Sequence, residues 1–296
     1  MIFDLSFLDL ELEAAKTGSL SPALTGHPAF RAIAEHEAEL QRPVWDADSF
    51  STRFSAAAAG KEGDWGLAPL FQERERLEGF RDWLETEKEA LTALVRQQLE
   101  RFTGVPQNPE LRCIPYVGSY DAGFSPDVGN GAIYLNLPVL SSREGFLETL
   151  VHESYHARKA EPKTRQKAKQ LEFQSSPMTQ LLFFTAEEGA ASLVGNNGLL
   201  ASQHPVIPLR AAEEGYAELK QLLGRFCGQE LDEQAALEAF LQTDCCYTGG
   251  VYIAYSVWKA YGRDGMDTWS ARADLDAYYQ AFRSAPQGAD WPALSL

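Results

Sequence analysis

The run His152-Glu153-Ser154-Tyr155-His156 constrains this chain more than any other stretch. Histidines at i and i+4 project from one face of an α-helix, so both imidazoles can ligate a single tetrahedral metal ion while Glu153 between them reaches water on that ion. The surroundings favour the helix. Ser141 and Glu144 have the spacing of a capping box, and Phe146, Leu147, Leu150 and Val151 supply an apolar stripe behind it. The helix is expected from about Ser142 to Lys159, with Glu148 and Thr149 sharing or bordering the histidine face and Tyr155 on the buried side.

The rest of the chain reads as mostly helical. Residues 1–105 are expected to form a helical region, clearest from Phe80 to Phe102, where Phe80, Trp83, Leu84, Leu91, Leu94, Val95 and Phe102 recur at three- and four-residue steps. The small, glycine-containing SAAAAGKEGDW from Ser55 to Trp65 reads as a loop. Composition changes after Gly104. Arg112 to Val117 reads as a short strand that Pro115, having no N–H, pushes toward an edge or an irregular end. A turn-rich loop, GSYDAGFSPDVGNG, leads to a second strand from Ala132 to Leu137, alternating and half-buried, stopped by Pro138. Pro162 and the charged run around it are expected to end the central helix. Further helical stretches run from Leu181 to Gly195 and from Cys245 or Gly250 to about Tyr261, where Gly262 and Gly265 break the pattern. The fold class is therefore α+β, mostly helical, divided into a helical region over 1–105 and a domain over 106–296 that could be continuous with it.

Composition narrows the function classes. With 296 residues and 45% hydrophobic content the chain can bury a substantial core. The N-terminal MIFDLSFLDLELEAAKTG has no basic n-region and is interrupted by Asp4, Asp9, Glu11 and Glu13, so it reads as neither a secretory signal nor an organelle presequence. No apolar run reaches the roughly 20 residues of a membrane span. The formal net charge of −16 opposes docking on nucleic acid or anionic lipid. That charge serves solubility, or an acidic cleft that attracts basic peptides. Cys113, Cys227, Cys245 and Cys246 lack CxxC spacing and read as reduced, mostly buried thiols, which points to the cytoplasm. His27, His36 and His204 read as surface or capping residues, and most C-terminal aromatics as core.

The order of strand, H-E-x-x-H helix and a later acidic helix carrying Glu188-Gly189-Ala190-Ala191 resembles the gluzincin metallopeptidases, nearest to uncharacterised predicted bacterial zinc-dependent proteases. The likeness covers about residues 110 to 262. It implies a zincin-like catalytic domain with a small sheet beside the metal helix, one Zn2+, a peptide or protein substrate, and peptide-bond hydrolysis with Glu153 as general base on water held by the zinc. It aligns Glu188 as the third ligand, since in such segments the ligand precedes the glycine, whose missing side chain lets this helix approach the metal helix. Glu188 stands 32 residues after His156, farther than in thermolysin-like enzymes. Periodicity leans the other way: Glu187 falls with Phe183, Phe184, Ala190 and Ala191 on the more apolar stripe, Glu188 with Phe184, Thr185, Ala191 and Ser192. The resemblance further implies that Ala132 to Leu137 is the edge strand above the zinc, on which an extended substrate adds a strand. One tyrosine of the C-terminal helix would donate to the reacting oxyanion. Tyr252 is favoured because Gly249-Gly250 before it permits close approach, with Tyr247 and Tyr255 as alternatives. The competing readings are a non-catalytic zincin-like binding or regulatory protein, which has no need of Glu153, and a metal-free helical interaction protein.

Overall fold

The computed structural model describes all residues except 41, 43–44, 62–64, 127–130, 141, 159–160, 197–206 and 293–296. The chain forms two compact units, each discontinuous in sequence: one of residues 1–94 and 108–153, the other of 95–107 and 154–296. Among the described residues no helix is long and apolar enough to cross a membrane.

The first unit carries β1 (Ile2–Phe3), α1 (Ser6–Thr17), α2 (Pro22–Thr25), α3 (Pro28–Glu39), α4 (Ala47–Ala58), α5 (Pro69–Gln72), most of α6 (Arg74–Phe102), β2 (Arg112–Tyr116), β3 (Gly123–Phe124), β4 (Ala132–Asn136) and most of α7 (Arg143–His156). The expected apolar stripe of α6 is buried at Phe80, Leu84 and Leu91 and half-buried at Trp83 and Leu94, and the Phe80 ring meets Phe146 of α7 at 5.2 Å between centroids. The helical expectation for the N-terminus misses β1, which pairs in parallel with β2 and opens the sheet order β1-β2-β4-β3. The expected loop at Ser55 begins too early, because the alanines carry α4 on to Ala58, as their high helix propensity favours. The turn-rich loop holds β3, antiparallel to β4 with Gly123 opposite Leu135.

Two strands depart from expectation. β2 is internal, flanked by β1 and β4, yet Pro115 costs it no ladder bond. Leu111 and Cys113 accept from Ile2 and Asp4, so this set of alternate residues faces β1, and Pro115 extends the set past the end of the two-residue β1. β4 is neither half-buried, as its alternation suggests, nor the edge strand that the resemblance implies. β2 and β3 flank it, and Ile133, Tyr134, Leu135 and Asn136 are all buried, so both its faces are covered. The edge strands are β1 and, beside β4, β3. Gly123 lies against α7, where an added Cβ would meet Thr149 Cγ2 at 3.0 Å.

The second unit packs the end of α6 with α8 (Pro162–Phe173), α9 (Pro177–Gly195), α10 (Leu209–Cys227), α11 (Glu233–Leu241), α12 (Cys245–Ser270), α13 (Leu275–Ser284) and a 3-10 turn at Pro286–Gly288. Pro162 does not end the central helix, which stops at His156: it stands in the first turn of α8, where its missing N–H has no intrahelical partner to lose. The helical stretch from Leu181 begins earlier, at Pro177, capped by Ser176. α12 breaks at Gly262 (φ 60°, ψ −145°) as expected but continues to Ser270. It lies between α9 and α10 through adjacent glycines. A Cβ on Gly250 would meet Thr185 O at 2.5 Å, and one on Gly249 would meet Gly215 O at 2.8 Å. The four cysteines are free; Cys113 and Cys245 are buried, Cys227 exposed.

Candidate metal centre

α7 holds the motif in its last two turns. Behind it Phe146, Leu150, Val151 and Tyr155 are buried, while His152 and His156 are half-buried and Glu153 is only 7% exposed. Ser141, the expected cap, and Lys159, the expected helix end, lie outside the described residues, as does His204.

His152, His156 and Glu188 each offer one ligand atom, all within 4.8 Å of one another. His156 Nε2 stands 3.5 Å from Glu188 Oε2. The neighbouring Glu187 turns to the other ring nitrogen, His156 Nδ1, at 3.0 Å. Adjacent residues on α9 thus take the two ends of one imidazole. Glu187 is buried and also accepts from Arg158 Nη1 (2.9 Å), Arg158 Nη2 (3.2 Å) and Trp269 Nε1 (2.7 Å). Burial alone would raise its carboxyl; Arg158 and His156 outweigh that and hold it down at about 2. Burial alone would depress His156, but Glu188 and Glu187 push the imidazole well above its ordinary range. The centre is therefore electronegative, as suits a cation. Two imidazoles and one carboxylate, with the second carboxylate on the far side of an imidazole, form a donor set that fits zinc with a coordination position left open.

Gly189 does not act as the resemblance implied. It does not bring α9 against α7 but against α12, where an added Cβ would lie 2.2 Å from the carbonyl carbon of Gly250. Gly249-Gly250 likewise serves helix packing. The structure does not bring Tyr252 to the centre either. Two residues past Gly250 it has turned about 200° around the helix, and its ring stacks on Tyr216 of α10 at 4.7 Å. Tyr255 is half-buried with Lys259 beside its ring, and Tyr247 is 42% exposed.

His27 caps α3, its Nδ1 accepting from Ala29 N–H. His36, Glu37 and Asp121 form a second close group of potential ligands. Arg42 already fills it, donating to both oxygens of Asp121 (2.8 and 2.9 Å) and to Glu37 (3.1 Å). That group is an ion-pair cluster with its cation built in.

Arg158 and Trp269 are the residues that sequence reasoning missed. Trp269 meets Glu187 across 82 positions of sequence, so no local pattern signals it.

A family model matches residues 66–223, the span that holds the sheet from β2 to β4, the motif, Arg158 and both glutamates. The chain belongs to this family, DUF5700, described as "putative zinc dependent peptidase". Tyr252 and Trp269 fall outside the DUF5700 match. No curated protein and no solved structure matches the chain.

Proposed function

We propose that this protein is a gluzincin-type peptidase with a zincin-like fold, in which His152, His156 and Glu188 hold zinc and Glu153 is the general base. The observation that carries the reading is the convergence of three ligand atoms from α7 and α9 within 4.8 Å, with Glu153 in the same turn of helix as His152. Zinc, when bound, would act as a Lewis acid toward the scissile carbonyl and lower the pKa of water. The chain's own groups do the rest. Glu153, buried at the motif, takes the proton of the attacking water and passes it to the leaving amine. Glu187 accepts from His156 Nδ1 and so leaves Nε2 as the ligating atom. An extended substrate would add its strand to β3, the edge strand whose Gly123 lies against Thr149, rather than to β4. A binding module would have no use for a proton acceptor at position 153. The test is Glu153→Gln, assayed for zinc content and for cleavage of a peptide library. Zinc should remain near one per chain while the rate falls by roughly 10²- to 10⁴-fold; cleavage at the wild-type rate would remove Glu153 from the mechanism.

A further inference from the structure

We infer that Arg158 and Trp269 are positioning residues for the metal centre, clamping Glu187 so that it orients His156 and cannot compete with Glu188 for the metal. The inference rests on the reading of His156 and Glu188 as zinc ligands. An ionised carboxylate has about four lone-pair sites, and Glu187 has four N–H partners for them. Oε1 takes Arg158 Nη1 at 2.9 Å and His156 Nδ1 at 3.0 Å; Oε2 takes Arg158 Nη2 at 3.2 Å and Trp269 Nε1 at 2.7 Å. No lone pair remains for a cation. Because the carboxylate only accepts, His156 Nδ1 must carry the proton of that bond, and in the neutral imidazole Nε2 is then the lone pair that faces Glu188.

The clamp is itself immobilised. Arg158 is buried, donates from Nη1 to Tyr155 O at 2.9 Å and from Nε to Ser270 O at 3.2 Å, and lies over the Tyr155 ring at 4.0 Å. Tyr155 and Ser270 are in turn joined through their hydroxyls at 2.9 Å. Trp269 is 1% exposed and packs edge-on against Phe183. The two arms approach Glu187 from different elements, one just past α7 and one near the end of α12. Of two adjacent glutamates on α9, the one inside this clamp is committed to the histidine and the one outside it is left to the metal.

Trp269→Phe removes the indole N–H and keeps an aromatic ring against Phe183, and Glu187→Gln removes the charge that the clamp holds. Zinc dissociation constants are measured for wild type, both single variants and the double variant by competition with a chromophoric chelator, with near-UV circular dichroism reporting the fold. Trp269→Phe should weaken zinc about tenfold, the low end for a partner behind a ligand. In the Glu187→Gln background it should change affinity less than threefold, because its effect passes through the carboxylate. Arg158→Lys, which keeps the charge and loses the two-pronged contact, should fall between wild type and Arg158→Met. Should Arg158→Met fail to fold, the Trp269 cycle decides alone. Unchanged affinity in Trp269→Phe, or the same loss in both backgrounds, as a packing role alone would give, overturns the clamp. If wild type itself takes up no zinc, the metal reading falls and the clamp with it; if wild type binds zinc and Trp269→Phe matches it, only the clamp falls.

Discussion

Gly189→Ala tests how the second glutamate is positioned, because the added methyl has nowhere to go. Its carbon would sit 2.2 Å from the carbonyl carbon of Gly250, 2.4 Å from its oxygen and 2.5 Å from its Cα, and ordinary contact begins at 3.4 Å. α9 and α12 would have to part locally by about 1.2 Å, the difference between 3.4 and 2.2. The obstacle is backbone, which cannot turn aside as a side chain does, so the cost belongs near the upper end of the ~1–3 kcal/mol of overpacking. Alanine's helix propensity returns about 1 kcal/mol. The net loss of about 2 kcal/mol corresponds to a fall in melting temperature of roughly 4–8 °C for a unit of this size. Gly79 in α6 is the control: nothing lies within 4 Å of a Cβ there, so Gly79→Ala keeps only the propensity gain and should melt roughly 2–4 °C above wild type. Glu188 precedes the altered residue, so zinc affinity should fall in Gly189→Ala and hold in Gly79→Ala. Differential scanning calorimetry and chelator competition read both effects. If Gly189→Ala melts at or above wild type, the glycine contact does not set the approach of these helices.

Glu188→Gln should abolish tight zinc binding while moving the metal-free melting temperature little, since its side chain is 22% exposed and outside the buried pair with Arg158. Glu187→Gln should do the reverse in order of size, destabilising the metal-free protein by up to ~3–5 kcal/mol because Arg158 loses its buried counter-charge; equal melting temperatures for the two would refute the division of roles. Glu11 is buried beneath β2, accepting from Val117 N–H at 3.0 Å, and burial raises its carboxyl well above the ordinary range. A raised acid contributes its full stability below the unfolded-state pKa and loses it as pH rises toward the folded one, so Glu11→Gln should gain on wild type between pH 4 and pH 8 in urea unfolding. A constant difference across that window would show that Glu11 does not titrate on unfolding.

Features set by local periodicity were legible in the sequence. The face shared by His152 and His156, the stripe of Phe146, Leu150 and Val151 behind it, and the long amphipathic α6 all depend on residues three and four apart, and these can be read without knowing what lies opposite. Family membership, shown over residues 66–223, agrees with the zinc peptidase class that the motif suggested. Strand roles were less legible. The alternation of Ala132 to Leu137 cannot tell an edge from an interior position, because β3, which covers it, is two residues long and sits within a run of turn formers.

Tertiary structure decided the rest, since it depends on which groups meet across long separations. Periodicity preferred Glu187 because it marks the more buried carboxylate, and Glu187 is indeed the more buried; what it could not supply is that Arg158, Trp269 and His156 Nδ1 consume that carboxylate. Tyr252 comes just after two glycines that do permit close approach, but to α9 and α10, and its own ring turns away to Tyr216. A helix pattern fixes the angle between neighbouring side chains and leaves open what each will touch; contacts across 82 residues, such as Trp269 with Glu187, exist only once the helices have packed.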